Sequence, residues 1–376
     1  MNRVNIMHII GGGEFGGAEQ HILTLLNNLD KNKFDVKLCC LSPAPLMQLA
    51  QKDGLSVIYL PMKNKLDIRA IIEFTKIIKR EKVDIVHTHG VRANFVGRIG
   101  AKLAGSSVVL TTVHSVLKYD YTSFCTRWVN ALLENVTKGM TNHYIAVSSA
   151  IEKDLVKSGV KAKDVTIIHN SIDTSLFKPG KSHFIRQLIG SGRDDKLIGV
   201  IARLHPVKGL NYFVEAAHML LQKESCYKFV LVGDGPNKDE LKEQIKNLSL
   251  EKEIFMVGFL DNISEVIQSL DLLVIPSLSE GFGLTAVEAM ASKVPVVATE
   301  VGGLKDIILN DETGILVPPA NSKALAEAIL NMLHNDKQSS DYVAKGYLQV
   351  KQLFSIEVMA KKTEEVYIDK VKLPVQ

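Results

Sequence analysis

The chain has 376 residues, more than one hydrophobic core comfortably serves, so its length predicts two domains of ordinary size. Hydrophobic residues make up 46% and charged residues 23%, a balance that excludes a disordered chain. No stretch approaches ~18 uncharged apolar residues, and the N-terminus lacks the apolar core of a signal peptide. The sequence therefore predicts a cytoplasmic protein without a membrane-spanning helix.

The net charge of +4 hides an asymmetry between the two halves. Residues 1–178 carry 23 Lys and Arg against 15 Asp and Glu, and residues 179–376 carry 22 against 26, which gives +8 and −4. The excess of positive charge is concentrated in residues 61–102. The cations of this stretch are Lys63, Lys65, Arg69, Lys76, Lys79, Arg80, Lys82, Arg92, Arg98 and Lys102. Such a flank suits an anionic acceptor or peripheral attachment to an anionic membrane surface, and a merely solvated face is the alternative. No nucleic-acid partner is predicted.

A glycine-rich loop follows the first predicted strand. Residues 4–10 are apolar enough for a buried strand, and residues 18–29 have the pattern of a helix. The loop between them formally contains G-x-G-x-x-G, which indicates a nicotinamide site only where an acid ends the second strand. Residues 38–42 contain no acid. A tight turn that needs positive φ is the alternative explanation of the glycines.

Strands and helices alternate through the rest of the first half. Strands are predicted at residues 57–60, 84–87, 108–113 and 143–147, and helices at residues 68–80, 93–104, 124–138 and 150–157. This alternation predicts a doubly wound parallel sheet, which binds its ligands at the C-terminal ends of the strands. His114 follows such a strand directly and is a candidate ligand contact, with a satisfied structural histidine as the alternative. The cysteines, Cys39, Cys40, Cys125 and Cys226, lack metal-ligand spacing and are interpreted as structural.

The second half begins after a linker that contains two breakers, Pro179 and Gly180. It restarts with a strand at residues 197–201. Arg203 follows this strand and Lys208 precedes a helix, a placement that suits a diphosphate. Arginine offers a planar fork of donors and lysine a point charge, whereas two solvated cations are the alternative interpretation.

Residues 276–295 organise the second half. The apolar strand at residues 272–275 ends at Pro276, and residues 284–291 have the composition of a helix. The loop between them carries Glu280, Gly281 and Gly283. A strand, loop and helix in this order direct the first free amides of the helix, those of Leu284 and Thr285, towards an anionic ligand.

Two glutamates frame this predicted anion site. Glu280 lies in the loop, and Glu288 lies about one turn inside the helix, so they are placed to contact opposite ends of one ligand. A solvated helix face is the alternative for such a pair.

These motifs resemble those of the retaining glycosyltransferases of family 4, and the resemblance covers nearly the whole chain. It rests on the seven residues between Glu280 and Glu288 and on further motifs along the chain. These are the glycine loop at residues 13–17, His114, Arg203 with Lys208, Gly233-Asp234-Gly235 and Asn170-Ser171-Ile172-Asp173. The resemblance implies the GT-B fold, in which two doubly wound, Rossmann-like α/β domains face each other across a cleft. Residues 1–178 would form the acceptor domain, residues 179–355 the donor domain, and residues 356–376 a helix that crosses back to the first domain.

The resemblance also implies a role for each candidate residue. Gly16 and Gly17 would let the backbone approach the donor phosphates and sugar, and His114 would contact the sugar. The nucleotide would lie against the turn at Gly233 and against Phe259, which follows a strand at residues 254–257. Glu280 would hold hydroxyls of the transferred sugar, and Glu288 those of the ribose. Gly283, Leu284 and Thr285 belong to the same donor site.

The predicted activity is transfer of a sugar from a nucleotide diphosphate donor to a hydroxyl of a glycan or lipid-linked acceptor, with retention at the anomeric carbon. Uridine is the expected base, because such enzymes use UDP-sugars most often. The sequence contains no D-x-D, so a chelated metal is not predicted, and Arg203 and Lys208 would stabilise the leaving diphosphate instead. No cofactor is predicted.

Three other functions compete with this prediction. A nucleotide-sugar epimerase would use a similar diphosphate site but would form a new sugar nucleotide without an acceptor. A nicotinamide oxidoreductase is disfavoured by the missing acid. A non-catalytic sugar-nucleotide binding protein would be expected to have lost part of the set of site residues.

Overall fold

A computed structural model describes residues 3–11, 16–43, 45–64, 67–105, 108–115 and 124–372. Most of the predicted glycine loop and the Cys125 side chain lie outside this part of the chain. The chain divides into two compact units. Unit 1 comprises Met1–Ser171 and Ile356–Gln376, and unit 2 comprises Ile172–Ser355. The division at Ser171 falls slightly before the predicted boundary at residue 178, because Ile172 already pairs with Ser355 in unit 2.

Each unit is built on one parallel sheet. The sheet of unit 1 has seven strands in the order β3-β2-β1-β4-β5-β6-β7. Their bounds are β1 (Val4–Ile10), β2 (Phe34–Cys40), β3 (Ser56–Tyr59), β4 (Ile85–His89), β5 (Val108–Val113), β6 (His143–Ala146) and β7 (Val165–Ile167). The sheet of unit 2 has six strands in the order β10-β9-β8-β11-β12-β13. Their bounds are β8 (Lys196–Ile201), β9 (Tyr227–Val232), β10 (Ile254–Gly258), β11 (Leu272–Ile275), β12 (Val296–Thr299) and β13 (Ile315–Val317).

Helices connect the strands in both units. In chain order they are α1 (Gly17–Asn28), α2 (Pro45–Lys52), α3 (Ile68–Arg80), α4 (Val91–Ala104), α5 (Phe124–Thr137), α6 (Ser149–Lys157), α7 (Phe184–Ile189), α8 (Leu210–Leu221), α9 (Lys238–Asn247), α10 (Ile263–Ser269), α11 (Leu284–Ala291), α12 (Leu304–Ile307), α13 (Ser322–His334), α14 (Asp336–Leu353) and α15 (Ile356–Lys372). The two doubly wound α/β sheets confirm the predicted fold class. No helix in the described ranges is both long and apolar enough to cross a bilayer.

Both faces of the unit 1 sheet are covered by apolar packing. One face packs against α1 and α15, with Ile22, Leu25 and Tyr367 buried over β1 and β4. The other face packs against α3 and α4, and α3 contributes Phe74 and Ile78 at helical spacing. Helix α15 therefore belongs to unit 1, although unit 2 precedes it in the chain.

The basic stretch at residues 61–102 does not form a uniform surface. Arg98, counted among its cations, has a fully buried side chain, and its Nη1 lies 2.7 Å from Glu134 Oε2. Burying an arginine requires such a partner, since an unpaired buried charge is costly. Arg98 thus ties α4 to α5. On α3, Ile68 and Ile72 stay exposed, so the core does not use every apolar residue of that helix.

Candidate active site

The predicted cations and Glu280 lie where the strand order of unit 2 reverses. Strand β8 pairs with β9 on one side and with β11 on the other. Loops that leave such neighbouring strands diverge and open a crevice at their C-terminal ends. The loop after β8 carries Arg203 and Lys208, and the loop after β11 carries Glu280. The sheet topology thus brings together residues about 70 positions apart.

An ion pair joins the two loops. Lys208 Nζ lies 2.6 Å from Glu280 Oε2, and Ser277 Oγ donates to the same oxygen at 3.2 Å. Both charged side chains are mostly buried, with 23% of the lysine and 16% of the glutamate exposed. Because an ammonium group has three N–H donors, the pair leaves donors of Lys208 for a ligand. The sequence placed these residues at different parts of the ligand, and the structure places them in direct contact.

Close backbone contacts hold this pair in place. Leu278 N–H donates to Val207 O at 2.7 Å, which joins the two loops directly. Gly209 has φ of +62°, and a Cβ there would lie 2.1 Å from the carbonyl oxygen of Pro276. Gly302 has φ of +51°, and its Cβ would lie 1.7 Å from the carbonyl oxygen of Glu280. Only glycine fits at such positions.

Helix α11 begins beside this pair. Gly283 is its N-cap, and Ala286 N–H is the first amide of the helix to bond back, to Gly283 O at 3.0 Å. The amides of Leu284 and Thr285 donate to no acceptor in the described part of the chain. Free amides at a helix start attract an anion by hydrogen bonding and by the helix dipole. The local geometry therefore suits the predicted phosphate contact.

Glu288 is buried within the same helix. Its side chain is 7% exposed, and burial raises its pKa to about 7. No described side chain pairs with the carboxylate. Hydrogen bonds donated by ribose hydroxyls to the Glu288 carboxylate would favour its ionised form. Ligand binding at Glu288 would therefore be coupled to loss of a proton.

We expect the burial of Glu288 to cost stability as the pH rises. Its pKa is raised on folding, so stability is fully present below the unfolded pKa and is lost as the pH rises through the folded pKa of about 7. The free energy of unfolding of the wild type, relative to Glu288→Gln, should fall by up to about 3 kcal/mol between about pH 4.5 and 7 and then level off. Urea unfolding at a series of pH values measures this difference. Glu327→Gln, at an exposed glutamate of α13, should show no such trend. If the stability difference between the wild type and Glu288→Gln did not change with pH, the raised pKa of Glu288 would be wrong.

His205 is a further polar residue in the loop after β8. Its side chain is buried, and Val207 N–H donates to its Nδ1 at 3.3 Å. Desolvation and, after it, the charges of Arg203 and Lys208 lower its pKa. His205 is therefore a neutral acceptor that shapes the loop, a role for which the sequence offered no signal.

Gly233 and Phe259 directly follow the neighbouring strands β9 and β10. Gly233 N–H donates to Gly258 O at 2.7 Å, and a Cβ on Gly233 would lie 2.0 Å from Ala202 O. The glycine thus permits close packing of three loops. Phe259 is 73% exposed, so its ring is accessible to a ligand. Their predicted contacts with a nucleotide stay predictions.

The remaining predicted site residues belong to unit 1. Gly16 is the N-cap of α1, and its N–H donates to Glu19 Oε2 at 3.1 Å. Gly17 is the first residue of that helix. An anion at this helix start would have to displace the Glu19 carboxylate. The glycine pattern in the sequence does not reveal this competing carboxylate.

His114 follows β5 and contacts other histidines. Its Nε2 lies 3.1 Å from His89 Nδ1, and its ring centre lies 5.0 Å from that of His21. Burial, and then the neighbouring His21, hold the pKa of His114 well below its usual value. His114 is therefore neutral at physiological pH. Its Nδ1 is buried and has no hydrogen-bond partner among the residues that the structure describes.

Two family models match successive parts of the chain. The model described as Glycosyltransferase Family 4 matches residues 15–176, and the model described as Glycosyl transferases group 1 matches residues 182–349. The chain belongs to glycosyltransferase family 4. The division between the two matches falls close to the boundary between unit 1 and unit 2.

Relatives of this family 4 glycosyltransferase act in glycan synthesis. The chain is 26% identical over 381 residues to the UDP-Gal:alpha-D-GlcNAc-diphosphoundecaprenol alpha-1,3-galactosyltransferase of Escherichia coli, with 98% of each chain covered. It is 22% identical over 330 residues to the capsular polysaccharide biosynthesis glycosyltransferase CapM of Staphylococcus aureus, with 85% of this chain and 87% of CapM covered. These relatives are transferases, so the epimerase and oxidoreductase alternatives gain no support.

Solved structures share the fold of the family 4 glycosyltransferase. HepE of Anabaena, solved in complex with UDP-glucose, matches with a TM-score of 0.86 at 22% identity, covering 98% of this chain and all of HepE. A sucrose-phosphate synthase from Thermosynechococcus elongatus matches with a TM-score of 0.81 at 22% identity, covering 98% and 99% of the two chains. At this identity the likeness establishes the fold alone.

Proposed function

We propose that this glycosyltransferase moves a sugar from a UDP-sugar to a hydroxyl of a lipid-linked or polysaccharide acceptor, with retention of anomeric configuration. The observation that carries the proposal is the Lys208–Glu280 pair, 2.6 Å apart in the crevice where β8 and β11 diverge. It sets a cation and a carboxylate side by side, an arrangement that would suit the junction between a diphosphate and its sugar. The family assignment and the names of the relatives support the reaction class.

The residues around the pair divide the work of the reaction. The bond between the anomeric carbon and the diphosphate oxygen breaks, and a bond from that carbon to the acceptor oxygen forms. The acceptor hydroxyl loses its proton, which the leaving diphosphate oxygen can take. Arg203, Lys208 and the free amides at the start of α11 would stabilise the charge that grows on the leaving diphosphate. Glu280 would position the sugar, and Glu288 would accept from the ribose hydroxyls. His114 would contact the sugar.

Metal independence is part of the proposal. The chain lacks a D-x-D motif, and the loop after β8 carries two cations, Arg203 and Lys208, that would neutralise a diphosphate. Protein cations of this kind perform the charge neutralisation that a chelated metal provides in other transferases.

The donor assignment follows the Escherichia coli relative, whose name specifies UDP-Gal. Saturating UDP-sugar should raise the melting temperature, since a ligand at 100 times its Kd stabilises the folded state by about 2.7 kcal/mol. Stabilisation by GDP-mannose with no effect of any UDP-sugar would overturn the assignment.

Glu288→Ala should weaken the shift in melting temperature and raise the donor KM with little change in kcat, because ribose is held alike in the ground and transition states. An acceptor panel containing diphospholipid-linked and free glycans then identifies the acceptor class.

We also propose peripheral attachment to an anionic membrane surface. Helix α5 exposes an apolar stripe of Trp128, Leu132 and Val136, which are 62%, 46% and 65% exposed. They lie four residues apart on one helix face. Helix α5 packs against α4, and α4 packs against α3, which carries exposed Arg69, Lys76 and Lys79. Apolar and basic side chains on neighbouring helices are the combination that holds a protein on anionic lipid.

Flotation with vesicles tests this attachment. The protein should float with phosphatidylglycerol-containing vesicles at low salt and less with neutral ones, and Leu132→Ala should lower the bound fraction several-fold. The matched control is Leu348→Ala, at an exposed leucine of α14 in unit 2, which should bind as the wild type does. Equal partition onto neutral and anionic vesicles, or no binding at low salt, would remove the proposal.

A further inference from the structure

A chain of hydrogen bonds crosses the face of the unit 1 sheet that α1 and α15 cover. Its members, in order, are Thr112, His87, Tyr367, His8, His89 and His114. The successive links measure 2.7, 2.7, 3.0, 3.0 and 3.1 Å. The strand register sets up this line, because His8 lies opposite His87, and His89 lies opposite Thr112. Side chains two residues apart on β4 share a face. The Tyr367 hydroxyl of α15 links His87 of β4 to His8 of β1.

Each histidine in the chain is neutral at physiological pH. Burial is the largest cause that lowers the pKa of all four, to about 3 for His8 and well below the usual value for the others. A neutral imidazole has one N–H donor and one acceptor nitrogen. Where both nitrogens are bonded, as in His8, His87 and His89, the ring must donate at one end and accept at the other. The Tyr367 hydroxyl could accept from both neighbours only by leaving its own buried O–H without an acceptor among the described residues. All the links are therefore expected to point in the same direction along the chain.

Only two directions exist, and they differ at the ends. If Thr112 donates its hydroxyl to His87 Nε2, every link points towards His114, which accepts at Nε2 and carries its proton on Nδ1. In the opposite direction, His114 donates from Nε2, and the buried Thr112 hydroxyl needs another acceptor. The described residues offer it none, because its one recorded bond is that to His87. The first direction leaves one buried group without a partner among the described residues, the Nδ1–H of His114. The second leaves two, the Thr112 hydroxyl proton and the lone pair of His114 Nδ1. Unpaired buried polar groups are costly, so the first direction is favoured.

We propose that this chain fixes the tautomer of His114, so that its buried Nδ1, which has no partner in the described part of the chain, presents an N–H donor to an oxygen atom of the donor sugar. His89, His8, Tyr367, His87 and Thr112 are then positioning residues that act through His114. The ligand atom rests on the proposed function, whereas the tautomer is a property of the free protein.

A bound metal ion is the competing interpretation of the same histidines. His8, His87 and His89 each bring one nitrogen within 4.8 Å of the others. A metal would need a lone pair from each ring aimed at one point. Both nitrogens of each ring already take part in the hydrogen bonds above, so metal binding would have to break the chain.

Side-chain nitrogen NMR of the full chain, labelled with ¹⁵N-histidine, tests the proposal, with His114 assigned by the signals lost in His114→Gln. The wild type should show His114 protonated at Nδ1. Thr112→Val removes the terminal donor at nearly constant shape, and Tyr367→Phe interrupts the chain at its centre. In both variants the two directions leave equal numbers of unpaired groups, so the Nδ1–H form of His114 should no longer dominate. Thr112→Ser keeps the hydroxyl and should keep the Nδ1–H form. Melting temperatures verify that the variants are folded.

The outcomes separate the tautomer from the reaction. An Nε2–H His114 in the wild type, or a tautomer unchanged in both Thr112→Val and Tyr367→Phe, would overturn the inference. So would stoichiometric Zn²⁺ binding that moves the signals of His8, His87 and His89. If the tautomer changes as expected, kcat/KM should fall in proportion to the lost Nδ1–H form, about twofold where half of that form is lost. A changed tautomer with unchanged kcat/KM would support the chain and count against the proposed sugar contact of His114.

Discussion

Lys208→Ala is expected to lower kcat by about 100-fold or more, the usual effect of losing a preorganised donor to a developing charge. Lys208 Nζ is held 2.6 Å from Glu280 Oε2 by loops that are themselves joined through Val207 and Leu278, so no reorganisation is needed when the diphosphate leaves. The donor KM should change less, because the contact strengthens in the transition state. Steady-state kinetics with varied donor measures both constants.

The control for Lys208→Ala is a lysine in an exposed ion pair of the same unit. Lys305 Nζ lies 3.9 Å from Glu300 Oε1, and about half of each side chain is exposed. Lys305→Ala should leave kcat unchanged, since exposed pairs contribute little. An unchanged kcat in Lys208→Ala would refute the leaving-group role. Loss of wild-type activity on addition of EDTA would refute metal independence.

Glu280→Gln is expected to lower kcat by about 100-fold as well, since small misplacement of the reacting sugar is costly. The structure adds a second cause. The amide replaces the carboxylate that holds Lys208 and accepts from Ser277 Oγ, so both loops lose their charged link. Kinetics of this variant should show a modest change in donor KM beside the large loss in kcat.

A double-mutant cycle tests whether Lys208 and Glu280 act as one unit or independently. Combining Glu280→Gln with Lys208→Ala should cost much less than the product of the two single effects, because each change already breaks the pair. Glu300→Gln, which neutralises an exposed partner of Lys305, serves as the control and should retain wild-type kcat. Effects that multiply in the double variant would mean that Lys208 and Glu280 act independently.

The periodic apolar segments were predictable from the sequence. Strands β1, β5 and β11 and helices α3 and α11 have the bounds predicted for them, because each is a strongly apolar run or an amphipathic helix with a clear end. Helices α9 and α14 were not predicted. Helix α9 is mostly charged, and α14 buries few apolar residues, so neither shows a strong apolar period.

The types and positions of the site residues were also predictable, because the C-terminal ends of parallel strands are where such a fold binds ligands. The sequence alone placed Arg203, Lys208 and Glu280 at strand ends. It likewise placed Leu284 and Thr285 at a helix start, as the structure does. Local composition and spacing determine these features, and they do not depend on which distant segments pack together.

Contacts between distant segments were decided only by the tertiary structure. Lys208 and Glu280 form an ion pair because β8 and β11 are neighbours, and Glu288 acquires a raised pKa because α11 is buried over its whole length from Ala286. Arg98 becomes a buried partner of Glu134 rather than part of a basic surface. The histidine chain needs three strands in register and Tyr367, which lies 280 residues after His87. Spacing along a chain fixes which face a side chain occupies, whereas its partners and its desolvation depend on what packs against that face.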